Sequence, residues 1–142
     1  MQVDITGYNL AEYGALAWYE NSRVFGNGLY YENGHCLLPL QNPQGTLFYT
    51  IIDKSNTMMF DPKVWPMTAS SSGNIYPAAL TIKCGLIVID EGTGVFTIMN
   101  TSGDTVFVVE NVDSVSDFNE DIAMVRSGGM VYYIDKTGQR LF

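Results

Sequence analysis

The chain reads as all-β, with repeats of short antiparallel three- to four-stranded hairpin units arranged propeller-like or as a compact barrel or stacked sheets. Two observations predict this. The apolar runs are about five residues long, rich in β-branched and aromatic side chains, and bounded by turn formers. In addition, one turn is written three times, as Asp53-Lys54-Ser55-Asn56, Asn100-Thr101-Ser102-Gly103 and Asp135-Lys136-Thr137-Gly138. Its Asx residue accepts a hydrogen bond from the backbone two residues on. Its last residue, glycine or asparagine, supplies the positive φ that ends a type I turn with a bulge. The copies close alike, on Met58-Met59-Phe60, Thr105-Val106-Phe107 and Arg140-Leu141-Phe142.

Taken in order, residues 1–35 are a degraded first blade or a cap. The stretch NLAEYGALAWYENSRVFGNGLYYENG reads either as a short helix from Leu10 to Trp18 or as strands, and Gly14, Gly26, Gly28 and Gly34 at turn-like spacing favour strands. Residues 36–61 form the first repeat, with Asn56 in the glycine place because asparagine tolerates positive φ. Asp53 and Asn100 are 47 residues apart and Asn100 and Asp135 are 35 apart, so a period near 35 is interrupted once by an insertion. It lies at 62–77, where Pro62, Pro66, Pro77 and the Ser70-Ser71-Ser72-Gly73 run break any regular strand pattern. A loop that long is either functional or a connector. Residues 78–110 form the second repeat. The third, 111–142, reads as three short strands, Ile122–Val125, Met130–Ile134 and Gln139–Phe142, separated by the Arg126-Ser127-Gly128-Gly129 and Asp135-Lys136-Thr137-Gly138 turns. The whole is a single domain.

These residues resemble the bacterial WG (tryptophan-glycine) repeat, roughly F-x-E-G-L-A-x-V, a turn, then G-x-W-G-Y-I-D-x-x-G. Phe118 to Val125 matches the first half, with Asp121 in the glycine place, and Tyr133-Ile134-Asp135-Lys136-Thr137-Gly138 matches the second. Gly85-Leu86-Ile87-Val88-Ile89 keeps the first half in the middle copy. The Trp-Gly dipeptide itself is replaced by Tyr49-Thr50, Phe96-Thr97 and Val131-Tyr132. What the resemblance implies is a series of small antiparallel sheets, propeller-like or stacked, with no catalytic residues to carry over. Such units bury their faces only against neighbours, so the ends must be closed by the N-terminal segment or used for assembly.

Composition narrows the function classes. Apolar residues make up 46 % of the chain and charged ones 15 %, with a net charge of -8. Acids outnumber bases along the whole chain, which argues against nucleic acid or an anionic lipid surface as partner. The longest apolar stretch, Ile75 to Ile89, contains Lys83 and is too short to span a bilayer, so no membrane insertion is expected. MQVDITGYN lacks signal-peptide character, which leaves the cytoplasm, or the cell surface or exterior if a leader was removed. Cys36 and Cys84 are expected as free, buried thiols.

Chemistry-bearing motifs are weak. His35 and Cys36 are adjacent, and adjacent strand residues point to opposite faces, so they do not make a nucleophilic dyad. One histidine and two cysteines cannot complete a tetrahedral zinc site. The acids Glu110, Asp113, Asp117, Glu120 and Asp121 lack calcium-loop spacing and read as a solvated connector. EGTGVFT at Glu91 precedes a strand, not a helix, and is a turn. No cofactor and no metal are expected.

The aromatic residues remain. Trp65 and Tyr76 lie in or beside the Pro/Ser/Gly insertion and Trp18 with Tyr19 near the other end, where exposed rings suit a sugar face or a partner protein; against this, Trp65 can fold back to cap the core. The resulting expectation is a non-enzymatic β-repeat module that binds a protein or glycan through these four residues. The alternative is an assembly protein that forms homo-oligomers through its sheet edges.

Overall fold

The computed structural model describes residues 9–10, 31–55, 57–69, 73, 75–78 and 80–141. Among them the fold is all-β. The first sheet runs in the order β1 (Asn9–Leu10), β3 (His35–Gln41), β4 (Leu47–Asp53), β5 (Lys63–Val64), with β2 (Tyr31–Glu32) also paired to β3. A two-stranded ribbon joins β6 (Met67–Ala69) to β7 (Ile75–Pro77). The second sheet holds β8 (Leu86–Gly92), β9 (Val95–Asn100) and β10 (Thr105–Val109), with β9 central. The third holds β11 (Ser114–Val115), β12 (Ile122–Ser127) and β13 (Met130–Asp135), with β12 central. All pairings are antiparallel.

Two sequence expectations change here. The 62–77 insertion is not structureless: Lys63 and Val64 pair with Tyr49 and Phe48, and Met67–Ala69 pairs with Ile75–Pro77. Its prolines fall at the ends of these short strands or on the outer strand of a two-stranded ribbon, where a missing N–H does no harm. The segment after the third turn is not a full strand among the described residues. It is held by a single bridge, Ile134 to Arg140, and by Leu141 N–H donating to the Tyr133 carbonyl. The helix or strand expected within 11–30 lies outside the described residues.

The three predicted turns share one hydrogen-bond pattern. Asp53 Oδ1 accepts from the N–H groups of Ser55 and Thr57, Asn100 Oδ1 from Ser102 and Asp104, and Asp135 Oδ1 from Thr137 and Gln139, at 2.8 to 3.0 Å. A fourth, between β3 and β4, does the same through Asn42 to Gln44 and Thr46. Just before β3, β8 and β12 the first, second and third sheets each also have an equivalent two-residue turn with consecutive positive φ, Asn33-Gly34, Cys84-Gly85 and Glu120-Asp121. Closed by the pairs Glu32–His35, Lys83–Leu86 and Asn119–Ile122, these have the conformation of type I′ hairpins.

Because side chains alternate across a strand, each sheet has two faces, and the core is layered accordingly. Leu37, Leu47, Tyr49 and Ile51 of the first sheet meet Ile87, Ile89 and Met99 of the second, with Trp65, Leu80 and Ile82 between. Leu86, Val88, Phe96 and Ile98, on the other face of the second sheet, meet Ala123, Val125 and Ile134 of the third, with Val112, Val115 and Phe118 between. The remaining face of the first sheet buries Cys36, Leu38, Leu40 and Ile52. The second sheet is thus covered on both sides.

The same joints recur at both layers. Phe60 packs on Gly103, and Phe107 packs on Gly138. The Glu32 carboxylate accepts from Cys84 N–H at 3.1 Å and Gly85 N–H at 3.2 Å, and Cys84 Sγ accepts from Asp121 N–H at 3.5 Å.

Candidate functional site

The four aromatic candidates do not come together. Trp65 is only 1 % exposed, sits between the first two sheets, and its Nε1–H donates to the Ala78 carbonyl at 2.8 Å. Its ring meets Tyr49 edge-on at 6.0 Å between centroids. Of the two places the sequence leaves open for Trp65, an exposed ring and one folded back on the core, the structure has the second: Trp65 N–H also bonds the Leu47 carbonyl, which fastens the residue after β5 to β4 and turns the indole into the core, so it is not an exposed ligand contact. Tyr76 is the middle residue of β7, paired with Thr68. Trp18 and Tyr19 lie outside the described residues.

The titratable groups serve the scaffold. Cys36 is buried, its thiol directed at the Leu37 carbonyl, and burial pushes its pKa up, which disfavours the nucleophilic thiolate. Cys84 is free and half-buried, held at positive φ in its turn. From the acidic stretch, Asp113 accepts from Gly128 N–H at 3.0 Å and Asp121 lies 3.6 Å from Lys136. Among the described residues no three His, Cys, Asp or Glu side chains gather as metal ligands, and no helix is long and apolar enough to cross a membrane.

Two surfaces stand out. The first is a groove of about 440 Å³ at the seam between the second and third sheets. One wall is Phe107, Val108, Val109 and Glu110; the other includes Tyr132, Ile134, Thr137 and Arg140. The Arg140 guanidinium stacks 4.4 Å from the Tyr132 ring centroid. Phe107 is braced by Phe118 behind it, edge-on at 6.5 Å. The first wall is β10, an edge strand of its sheet among the described residues, where Val106 and Val108 are exposed. A sheet edge offers a row of backbone donors and acceptors to an incoming strand.

The second surface is the outer face of the third sheet. The pairs Ile122–Asp135, Met124–Tyr133 and Arg126–Val131 place these six residues on one face, opposite the buried Ala123, Val125 and Ile134. Ile122, Val131 and Tyr133 are 36 %, 43 % and 36 % exposed.

Sequence reasoning passed over both. Val106 and Val108 alternate with Phe107, the period-2 signal of a strand with one side turned outward, whereas Met130 to Ile134 is apolar throughout, which by itself does not say which face is covered. Compared with known proteins, the chain matches no family model and no curated protein.

Proposed function

We propose that the chain is a non-enzymatic β-repeat interaction module, three copies of one WG-like unit stacked face to face, whose partner is an extended protein segment. The observation that carries this reading is the seam groove beside the β10 edge. A segment added alongside Thr105–Val109 gains main-chain hydrogen bonds from the edge, and alternate side chains drop toward Phe107, Tyr132 and Ile134. Arg140 and Glu110 flank the groove with opposite charges and orient the segment. The copy reading is supported by the three equivalent Asx turns, the three type I′ turns and the two Phe-on-Gly joints.

A library of linear peptides displayed on phage tests this, with amide shifts of the labelled protein read on adding the selected peptide. Shifts centred on Val106 to Glu110, lost in Val108→Lys, support the reading. Selected peptides whose shifts map elsewhere, or capture by a glycan array alone, overturn it.

The outer face of the third sheet favours a second reading, assembly between copies.

A further inference from the structure

The second and third sheets correspond residue by residue, counted from their type I′ turns. Ile122, Met124, Val131 and Tyr133 take the places of Leu86, Val88, Phe96 and Ile98. In the second sheet Leu86, Phe96 and Ile98 are 6 %, 6 % and 0 % exposed because the third sheet lies on them. The first sheet uses the corresponding face, with Leu37, Tyr49 and Ile51, to receive the second. The outer face of the third sheet therefore repeats the surface that twice receives a neighbouring sheet, and on it Ile122 and Val131 are 36 % and 43 % exposed.

We infer that two copies of this chain pair through that face, the third sheet of one against the third sheet of the other. This rests on the reading of the sheets as copies of one unit. The choice of occupant follows from what is left open. In a head-to-tail stack the open face would meet the other side of the first sheet, equivalent to the side by which the second and third sheets dock, but Cys36, Leu38, Leu40 and Ile52 on that side are already buried. The open face is left to meet itself, which gives a closed two-fold contact and not a fibre. Charge is arranged for this. Arg126 marks one end of β12, while Glu120, Asp121 and Asp135 mark the other. A two-fold axis through the middle of the face sets each Arg126 against the acidic end of the other copy, where opposite charges fix the register of docking.

Sedimentation equilibrium from low micromolar to several hundred micromolar tests the inference, with Val131→Glu and Ile122→Lys as variants. Both positions are exposed, so the single chain keeps its fold, read as unchanged far-ultraviolet circular dichroism. The wild type is expected to reach twice the mass of one chain, and each variant to weaken the dimer at least tenfold. Hydrogen exchange of the wild type gives an independent reading: amides of Ile122–Ser127 and Met130–Asp135 slow as concentration rises. A wild type that stays monomeric throughout, grows beyond a dimer, or dimerises with its variants unaffected overturns the inference. Peptide capture by the monomeric Val131→Glu variant, together with its loss in a still dimeric Val108→Lys, separates this face from the groove; failure of either leaves the other standing.

Discussion

The ring of Phe107 lies so close to Gly138 that a Cβ at 138 would sit 2.9 Å from Phe107 Cδ2. Gly138 also has φ of +88°, so one glycine satisfies two demands, a left-handed turn and room for the aromatic ring of the preceding sheet. Gly138→Ala is expected to cost about 2 to 4 kcal/mol, combining the backbone penalty of roughly 1 to 2 kcal/mol with displacement of the ring. Gly129→Ala is the control: its φ is +83° but nothing lies within 4 Å of an added Cβ, so it should cost only the backbone part. Urea denaturation of both variants checks this. Equal losses would mean that the Phe107 contact contributes nothing.

Asp121→Gly should stabilise the protein. Asp121 has φ of +68° in a type I′ turn where the equivalent turns of the first and second sheets have Gly34 and Gly85. Relief of that conformation is worth roughly 0.5 to 1 kcal/mol after the added freedom of the unfolded chain is deducted. The Lys136 ion pair that is lost is exposed and contributes little. A rise in Tm of a few degrees is the expected readout, and a fall would show that the ion pair outweighs the backbone term.

Trp65→Phe is expected to lower stability by about 2 to 3 kcal/mol. It leaves part of the indole volume empty between the first two sheets and the buried Ala78 carbonyl without its donor. Peptide capture at the seam groove should be unchanged, because that groove lies at the other layer. A variant of unchanged stability with lost binding would restore Trp65 as a ligand contact.

Acid should weaken the third turn in a defined direction. Hydrogen bonds from the Thr137 hydroxyl and N–H, with further ones from Gln139 and Gly138, hold the Asp135 carboxyl below the usual carboxylate range. A depressed folded value means that its contribution is present above the unfolded pKa of about 3.9 and is lost as pH falls through the lower folded value. The carboxyl carbon shift of Asp135 should titrate at lower pH than that of an unstructured aspartate. Asp135→Asn should keep the turn, as Asn42 and Asn100 do in theirs, and remove this part of the acid sensitivity.

The turns were legible in the sequence because their chemistry is local. An Asx oxygen three residues before a glycine specifies its own hydrogen bonds, and the structure forms all three predicted ones. The fourth, at Asn42 with Gly45 three residues on, carries the same signal, and Asn33-Gly34 is a strong hairpin dipeptide. Trp65 was the opposite case. Its neighbours Pro62, Pro66 and the serine run describe a loop, and nothing local shows that two short strands and the Ala78 carbonyl draw the indole inward.

By itself, then, the sequence determined the all-β class, the three Asx turns and the positive φ of Gly103 and Gly138 that close two of them, since each of these depends on contacts a few residues apart. The tertiary structure alone decided which residues of each sheet are buried against a neighbour, that Phe107 rests on Gly138 and that Val106, Val108, Ile122 and Val131 are exposed. Those are contacts between residues some thirty or more apart, and an apolar strand has the same composition whether or not a neighbouring sheet lies on it.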